Sequence, residues 1–465
     1  MQKLIAKYGL AAHLAILAVA PLFLFPFCAD GTIAKVLVWL TLPTALWTVL
    51  EPSMRVGEHL HNARRRVAKA IFRDPLFWAS LVLVAFTGFR ALNTGIALSY
   101  DAEASVWSVL PPPFPILPGV VGSSGDLPFA GALACAVLLQ ACRHSIGRSA
   151  RMAFLLLSSC LSGAAALIAL FALREGCPGA LALLPAADGL MCSYAGFAFG
   201  LHLIGGVVAL VAVVEFRWKM SFFLLALSIG GNAAGLFSFA PPYLFAALAA
   251  AGMLLLAYVV VFSCRTFLGV DGLRLLVIGG MFLALGGLLV AVFLPSDVLD
   301  GRMAAFASLD FFPSRYWEVR RTLSAVAFKS WTSHIWIGTG IASFPLDFRF
   351  GAQAEDWALL PRGAAMASNG WWHLLSERGL VGAVFFVLPF AFLSVTYVRR
   401  LVEWMGGWTL PHPACLIAPL ALVSFAATGF FDCSPLRIEA LMAMCSSLAV
   451  SAVSFQRMRG DRNGW

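Results

Sequence analysis

The sequence predicts an all-α, polytopic membrane protein with about twelve transmembrane helices and one large, partly helical extramembrane segment. Three observations carry this expectation. Of the 465 residues, 61% are apolar and 12% charged. A soluble domain runs at about half and about a quarter. The apolar residues come in runs of roughly 20, long enough for a helix to cross the hydrocarbon layer. They do not alternate with polar residues as barrel strands do. Lastly, Lys and Arg collect on alternate connections between the runs. So little polar surface cannot clothe this chain in water, which sets aside soluble, disordered and nucleic-acid-binding classes. The formal net charge of +9 follows from where the cations lie and implies no nucleic-acid partner.

The runs fall near 10–28, 33–50, 75–94, 127–142, 152–173, 195–215, 220–237, 241–263, 273–295, 379–398, 411–431 and 437–455. The first follows Lys3 and Lys7. It is longer than the apolar core of a signal peptide and lacks a small-x-small cleavage site, so it reads as a retained span. Twenty cations lie on one set of connections, including Arg55, Arg64, Arg65, Arg66, Lys69 and Arg73. The opposite short connections and helix ends hold Lys35, Arg90, Arg174 and Arg437. The positive side is cytoplasmic, so both termini are expected there. Residues 1–295 then hold nine spans, 296–378 form a segment on the far side, and 379–465 hold three more spans and a tail. The ten cysteines form no C-x-x-C pair, so metal-binding spacing is absent. Cys177 and Cys192 share one far-side loop, where a bridge is one of two open outcomes.

The 296–378 segment carries eight acidic and eight basic residues, seven of the latter arginine. Arginine on the far side runs against the topological bias, and its planar fork suits phosphate. A solvated loop of balanced charge is the plainer reading. Two stretches stand out. Phe311-Phe312-Pro313-Ser314-Arg315 starts a helix running to about Ser330, followed by a Gly338-Thr339-Gly340 turn that lets the chain reverse. Then Ser368-Asn369-Gly370-Trp371-Trp372-His373 through Glu377-Arg378-Gly379 and Gly382 reads as a polar-tipped helix entering a span.

At these residues the chain resembles the O-antigen ligase and polymerase-type family of bacterial inner-membrane glycosyltransferases. Ser314-Arg315 with Arg320 matches the family's S-R helix, and Ile337-Gly338-Thr339-Gly340 with Phe344 matches its glycine turn. Asn369, nine residues, then Gly379 and Gly382 match its H-N…G-x-x-G element in spacing, with Glu377 ahead of the glycine. The likeness covers about 300–390 and is architectural elsewhere. It implies a polyprenyl-pyrophosphate-linked glycan donor and a glycan, lipid A core or protein hydroxyl acceptor. Membrane lipids are the surrounding partner, and neither cofactor nor metal is implied. Arg315, Arg320, Arg321 and Arg90 are the candidates for gripping the pyrophosphate. Gly338, Gly340, Gly379 and Gly382 are structural motif positions.

This chain departs from the family pattern at the histidine, where Ser368 stands. A serine hydroxyl is no base near neutral pH. His373 and Glu377 share a helical face with Asn369, so His373, Glu377, Ser368 and Asn369 form the candidate catalytic group. Asn232 stands where the family carries an arginine in span seven. The tryptophans of the segment read mainly as interfacial belt, Trp357 being the one with a possible sugar-stacking role. Two other functions compete with a transferase. One is a non-catalytic protein that binds lipid-linked glycan or scaffolds an export complex. The other is a transporter or flippase, for which His202 is the clearest mid-span ionisable residue.

Overall fold

A computed structural model describes residues 2–24, 30–52, 58–92, 98–101, 106–109, 144–177, 194–215, 222–266, 272–308, 315–340, 343–360, 366–405, 412–433 and 440–444, with a few isolated positions between them. It is overwhelmingly helical. The helices are α1 (Gln2–Leu24), α2 (Asp30–Leu50), α3 (Leu60–Phe72), α4 (Pro75–Leu92), α5 (Arg148–Arg174), α6 (Tyr194–Glu215), α7 (Phe222–Ala226), α8 (Asn232–Phe239), α9 (Pro242–Thr266) and α10 (Gly272–Phe293). After them come α11 (Ser296–Ala307), α12 (Tyr316–Ser333), α13 (Phe344–Gly351), α14 (Ala354–Leu359), α15 (Gly370–Met405) and α16 (Ile417–Phe431). One antiparallel hairpin, β1 (Leu98–Asp101) with β2 (Val106–Val109), pairs Leu98 with Val109 and Asp101 with Val106. The sequence pattern placed no element there.

Five stretches are long and apolar enough to cross a membrane: Ala150–Arg174, Pro242–Cys264, Leu276–Phe293, Gly370–Arg399 and Pro413–Phe431. A sixth arises if α3 and α4, bent by 64°, count as one broken span. Tyr8–Leu24, Ala195–Leu210 and Leu224–Phe239 are apolar but shorter. This is a multi-pass membrane protein. The expected spans near 127–142 and 437–455 fall mostly outside the described residues, as does Cys192.

Two elements differ from the sequence expectation. The expected polar-tipped helix and the span at 379–398 run together from Gly370, as α15, but with a kink at Gly379 (φ 63°, ψ −175°) that the pattern did not predict. The boundary drawn at 378/379 coincides with this kink. The expected span at 220–237 is α7 and α8 joined through a π turn, Leu227–Gly231. There the small residues let helices meet backbone to backbone: a Cβ at Gly231 would lie 2.8 Å from the Cα of Gly163 on α5. Asn232 is fully buried and donates its Nδ2 to Ser159 O (2.7 Å) and Ser228 O (2.6 Å).

α5 is the centre of the bundle, packed against α1, α6, α8 and the π turn. A second, small core sits under the 296–378 segment: Val319, Leu323, Val326 and Ala327 of α12 against Phe344 and Phe348 of α13 and Leu360, Ala364 and Ala367. Arg302 fastens α11 to the bundle. Its Nη1 donates to Phe237 O (2.6 Å) and Ala240 O (2.8 Å) at the end of α8. Burial lowers its pKa to about 10, well above neutral, so the guanidinium stays charged against the negative end of the helix. Replacing Arg302 with Met strips both carbonyls of their donor. It is expected to lower stability by about 1–3 kcal/mol, read as a lower thermal midpoint of the detergent-solubilised protein.

Candidate functional site

The glycine turn docks on the kink of α15, and α12 is tied to the cap at the start of that helix. A helix bent by a residue in the left-handed region loses part of its own hydrogen bonding, and in a membrane protein those groups need new partners. The Gly338 turn supplies them. Thr339 N donates to Ser376 O (2.9 Å) and Gly340 N to Glu377 O (2.8 Å). In return Leu380 N donates to Ile335 O (2.8 Å) and Val381 N to Trp336 O (3.0 Å). The two segments thus exchange four backbone bonds around Gly379.

That exchange requires glycine on both sides. Gly338 has φ 68° and Gly379 φ 63°, a region costly for other residues. A Cβ on Gly338 would also meet Glu377 C and Gly379 N at 2.5 Å, and one on Gly379 would meet Trp336 and Ile337 backbone atoms at 2.4 Å. Gly340 also takes a positive φ, 114°. Gly382 seats α15 on α4, its Cβ position 3.0 Å from the ring of Phe86.

Arg90, buried at the end of α4, closes the arrangement. Its Nη1 donates to Ile337 O and its Nη2 to Glu377 O (2.9 Å). Its guanidinium is thus engaged with the carbonyls of the turn and the kink. Arg320 does similar work at the other end of the segment. Nη2 donates to Phe430 O near the end of α16, and Nη1 to Tyr316 Oη (3.0 Å), whose own hydroxyl donates to Phe431 O (2.7 Å). The cation lies 5.7–5.9 Å from the ring centres of Tyr316, Trp317 and Phe431, within cation–π range. Arg315, at the first turn of α12, and Arg321 are exposed.

The candidate catalytic group sits at the start of α15. Asn369 caps the helix, its Oδ1 accepting from Trp371 N (2.9 Å) and Trp372 N (3.2 Å). Ser368 is buried and its Oγ donates to Arg320 O (3.4 Å), tying α12 to the cap. One turn on, His373 Nε2 lies 3.5 Å from Glu377 Oε2, and both side chains are buried. Glu377 Oε1 accepts from Phe344 N (3.4 Å), and the His373 ring meets the Phe344 ring edge-on at 5.6 Å. A histidine held by a carboxylate is the arrangement that fixes a tautomer and offsets an imidazolium. Trp357 packs edge-on against Phe348 at 5.1 Å, inside the small core.

The sequence reading missed Asp347. Its Oδ2 accepts from Ser330 Oγ (2.8 Å) and Thr339 Oγ1 (2.8 Å), with Ser343 Oγ at 3.5 Å. Thr339 Oγ1 also reaches Ser376 O (3.1 Å), joining this cluster to the kink. The spacing Thr339, Ser343, Asp347, four residues apart, was the available signal. Arg378 was also passed over as a site residue; it is buried with its guanidinium 5.1 Å from the ring centre of Phe386. Desolvation raises the Asp347 pKa above the ordinary carboxyl value, against the lowering pull of the Ser330, Thr339 and Ser343 hydroxyls and of His334.

No family model matches the chain, and no curated protein matches it.

Two outcomes follow from this geometry. Gly338→Ala and Gly379→Ala should each cost about 3 kcal/mol or more, from clash and left-handed strain together. Both would show as lost folded protein on size-exclusion chromatography, whereas Gly301→Ala, with open space around it, should not. For Asp347 the folded pKa is raised, so its stabilising contribution is present below the ordinary carboxyl pKa and is lost as pH rises through the raised value. Thermal midpoints of the wild type should fall across that window, and Asp347→Asn, which keeps an acceptor for Ser330 and Thr339, should flatten the slope.

Proposed function

We propose that this chain is a glycosyltransferase of the O-antigen ligase or polymerase type, acting at the periplasmic face of a bacterial inner membrane. In this reading the chain has about twelve spans with both termini in the cytoplasm. The donor is an oligo- or polysaccharide on polyprenyl pyrophosphate. The acceptor is a hydroxyl of a second glycan, a lipid A core or a protein. What supports it most is that the glycine turn docks on the helix that carries the N-x9-G-x-x-G element beside one buried pair, His373 and Glu377, while α12, which bears Arg320 and Arg321, is tied to the cap of that same helix.

The chemistry runs as follows. The acceptor oxygen bonds to the anomeric carbon, the bond from that carbon to the phosphate oxygen breaks, and pyrophosphate leaves with the electron pair. His373 Nδ1, the ring nitrogen other than the one beside Glu377, takes the acceptor proton, and Glu377, next to Nε2, steadies the resulting imidazolium. The charge on the departing pyrophosphate falls to Arg315 and Arg321, whose guanidiniums are exposed. Arg320 and Arg90 contribute by holding the frame.

A second reading has its own support. Ser368 replaces the family histidine, Asn232 is fully buried in helix packing, and Arg90 and Arg320 are occupied with carbonyls. A non-catalytic protein that binds lipid-linked glycan would need no more than this.

Proteoliposomes supplied with polyprenyl-pyrophosphate-linked oligosaccharide separate the two. The transferase reading expects longer or newly attached glycan on mass spectrometry. His373→Ala and Glu377→Gln should cut product by about 100-fold or more, and Arg315→Ala with Arg321→Ala by at least about tenfold, at unchanged protein level. Wild-type protein that retains donor yet yields no product would favour the binding reading.

A further inference from the structure

We propose that α3 and its elbow with α4 form a docking surface for anionic phospholipid head groups at one face of the bilayer. This goes beyond the transferase reading and does not depend on it. α4 is apolar, and α3 departs from it by 64°, so α3 lies nearer the bilayer plane than its normal. The elbow is fixed locally. Asp74 Oδ1 accepts from Leu76 N (3.1 Å), Asp74 Oδ2 pairs with His144 Nε2 (2.9 Å), and Pro75 opens α4.

The cations of α3 divide by face. Arg66 is bound by Glu58 through two contacts (2.9 and 3.0 Å), and Arg64 Nε donates to Leu50 O (2.9 Å). Ala63 and Val67 are buried against the protein. On the opposite face Arg65, Lys69 and Arg73 follow at intervals of four, all exposed, and no ion pair is found for them among the described residues. The helix itself contains no acidic residue. Like charges at that spacing repel, so the stripe raises the energy of the helix unless an anionic surface neutralises it.

The neighbouring aromatics say which anionic surface. Phe72, 66% exposed, lies beside the stripe, and its carbonyl accepts from Trp78 Nε1 (2.9 Å). The Phe72 and Trp78 rings are 6.3 Å apart. Trp78 heads the exposed apolar stripe of α4, with Leu81, Val82 and Phe89 below it. Cations flanking an exposed Phe–Trp pair at the mouth of a lipid-facing stripe match a layer of acidic head groups over hydrocarbon. A soluble acidic protein would leave that pair uncovered.

The test uses the full chain in detergent, titrated with phosphatidylglycerol or phosphatidylcholine and followed by native mass spectrometry and thermal melting. The wild type should retain phosphatidylglycerol preferentially and melt higher with it, and added salt should weaken both effects. Arg65→Gln, Lys69→Gln and Arg73→Gln together should reduce the preference on the order of 100-fold, while Arg65→Lys with Arg73→Lys should keep it. Phe72→Ala should weaken retention with the charges intact. Equal retention of the two lipids by the wild type, or an undiminished preference in the triple Gln variant, would overturn the proposal.

Discussion

The break in α15 at Gly379 governs how the Gly338 turn sits on the membrane helices. A helix entering a membrane cannot leave carbonyl and amide groups bare, because hydrocarbon offers no replacement partner. The break is therefore tolerable here for one reason: the Gly338 turn docks on it and remakes the bonds, with Arg90 adding one to the carbonyl of Glu377 and one to the neighbouring carbonyl of Ile337. Once that docking is made, the positions of α12, α13 and the helix cap at Asn369 are nearly determined. They must pack over the turn and enclose Phe344 and Phe348.

Arginine performs one recurrent task in this protein. Arg90 serves the turn and the kink, Arg302 the end of α8 and Arg320 the end of α16. For Arg302 and Arg320 the charged fork meets carbonyls at a helix C-terminus, where its sign is favourable, while Arg90 meets one carbonyl of the turn and one at the kink. Guanidinium suits this task because it stays charged when buried and donates in several directions at once. The excess of arginine over lysine in the segment thus has a structural explanation alongside the phosphate chemistry that the composition suggests. Arg315 and Arg321, which are exposed, are the two that the proposed reaction assigns to the pyrophosphate.

Two polar groups share the same ground, one half-buried around Asp347 and one buried at His373 and Glu377. The Asp347 cluster stiffens the turn from one side, and the His373–Glu377 pair faces Phe344 from the other. Thr339 ties the Asp347 cluster to the kink, since its hydroxyl meets Asp347 while its amide meets Ser376 O. A buried network that is well supplied with partners holds its members in one geometry, which is what a proton-accepting histidine would require.

The sequence alone determined the membrane class, the helical content and most helix positions, because apolar run length is a direct readout of hydrocarbon thickness. The positive-φ turn at Gly338 and the shared face of His373 and Glu377 were legible for the same local reason: glycine spacing and helical periodicity act within a few residues. The strand pair Leu98–Asp101 and Val106–Val109, the π turn before Asn232 and the kink at Gly379 were not legible, the last two because each depends on what a neighbouring segment presents. Asp347 escaped notice because a lone carboxylate is ordinary until three hydroxyls from separate turns surround it. Which arginines are exposed and which are consumed by carbonyls was decided by tertiary structure, since a guanidinium's partner is set by the helix end it meets and leaves no mark on the surrounding sequence.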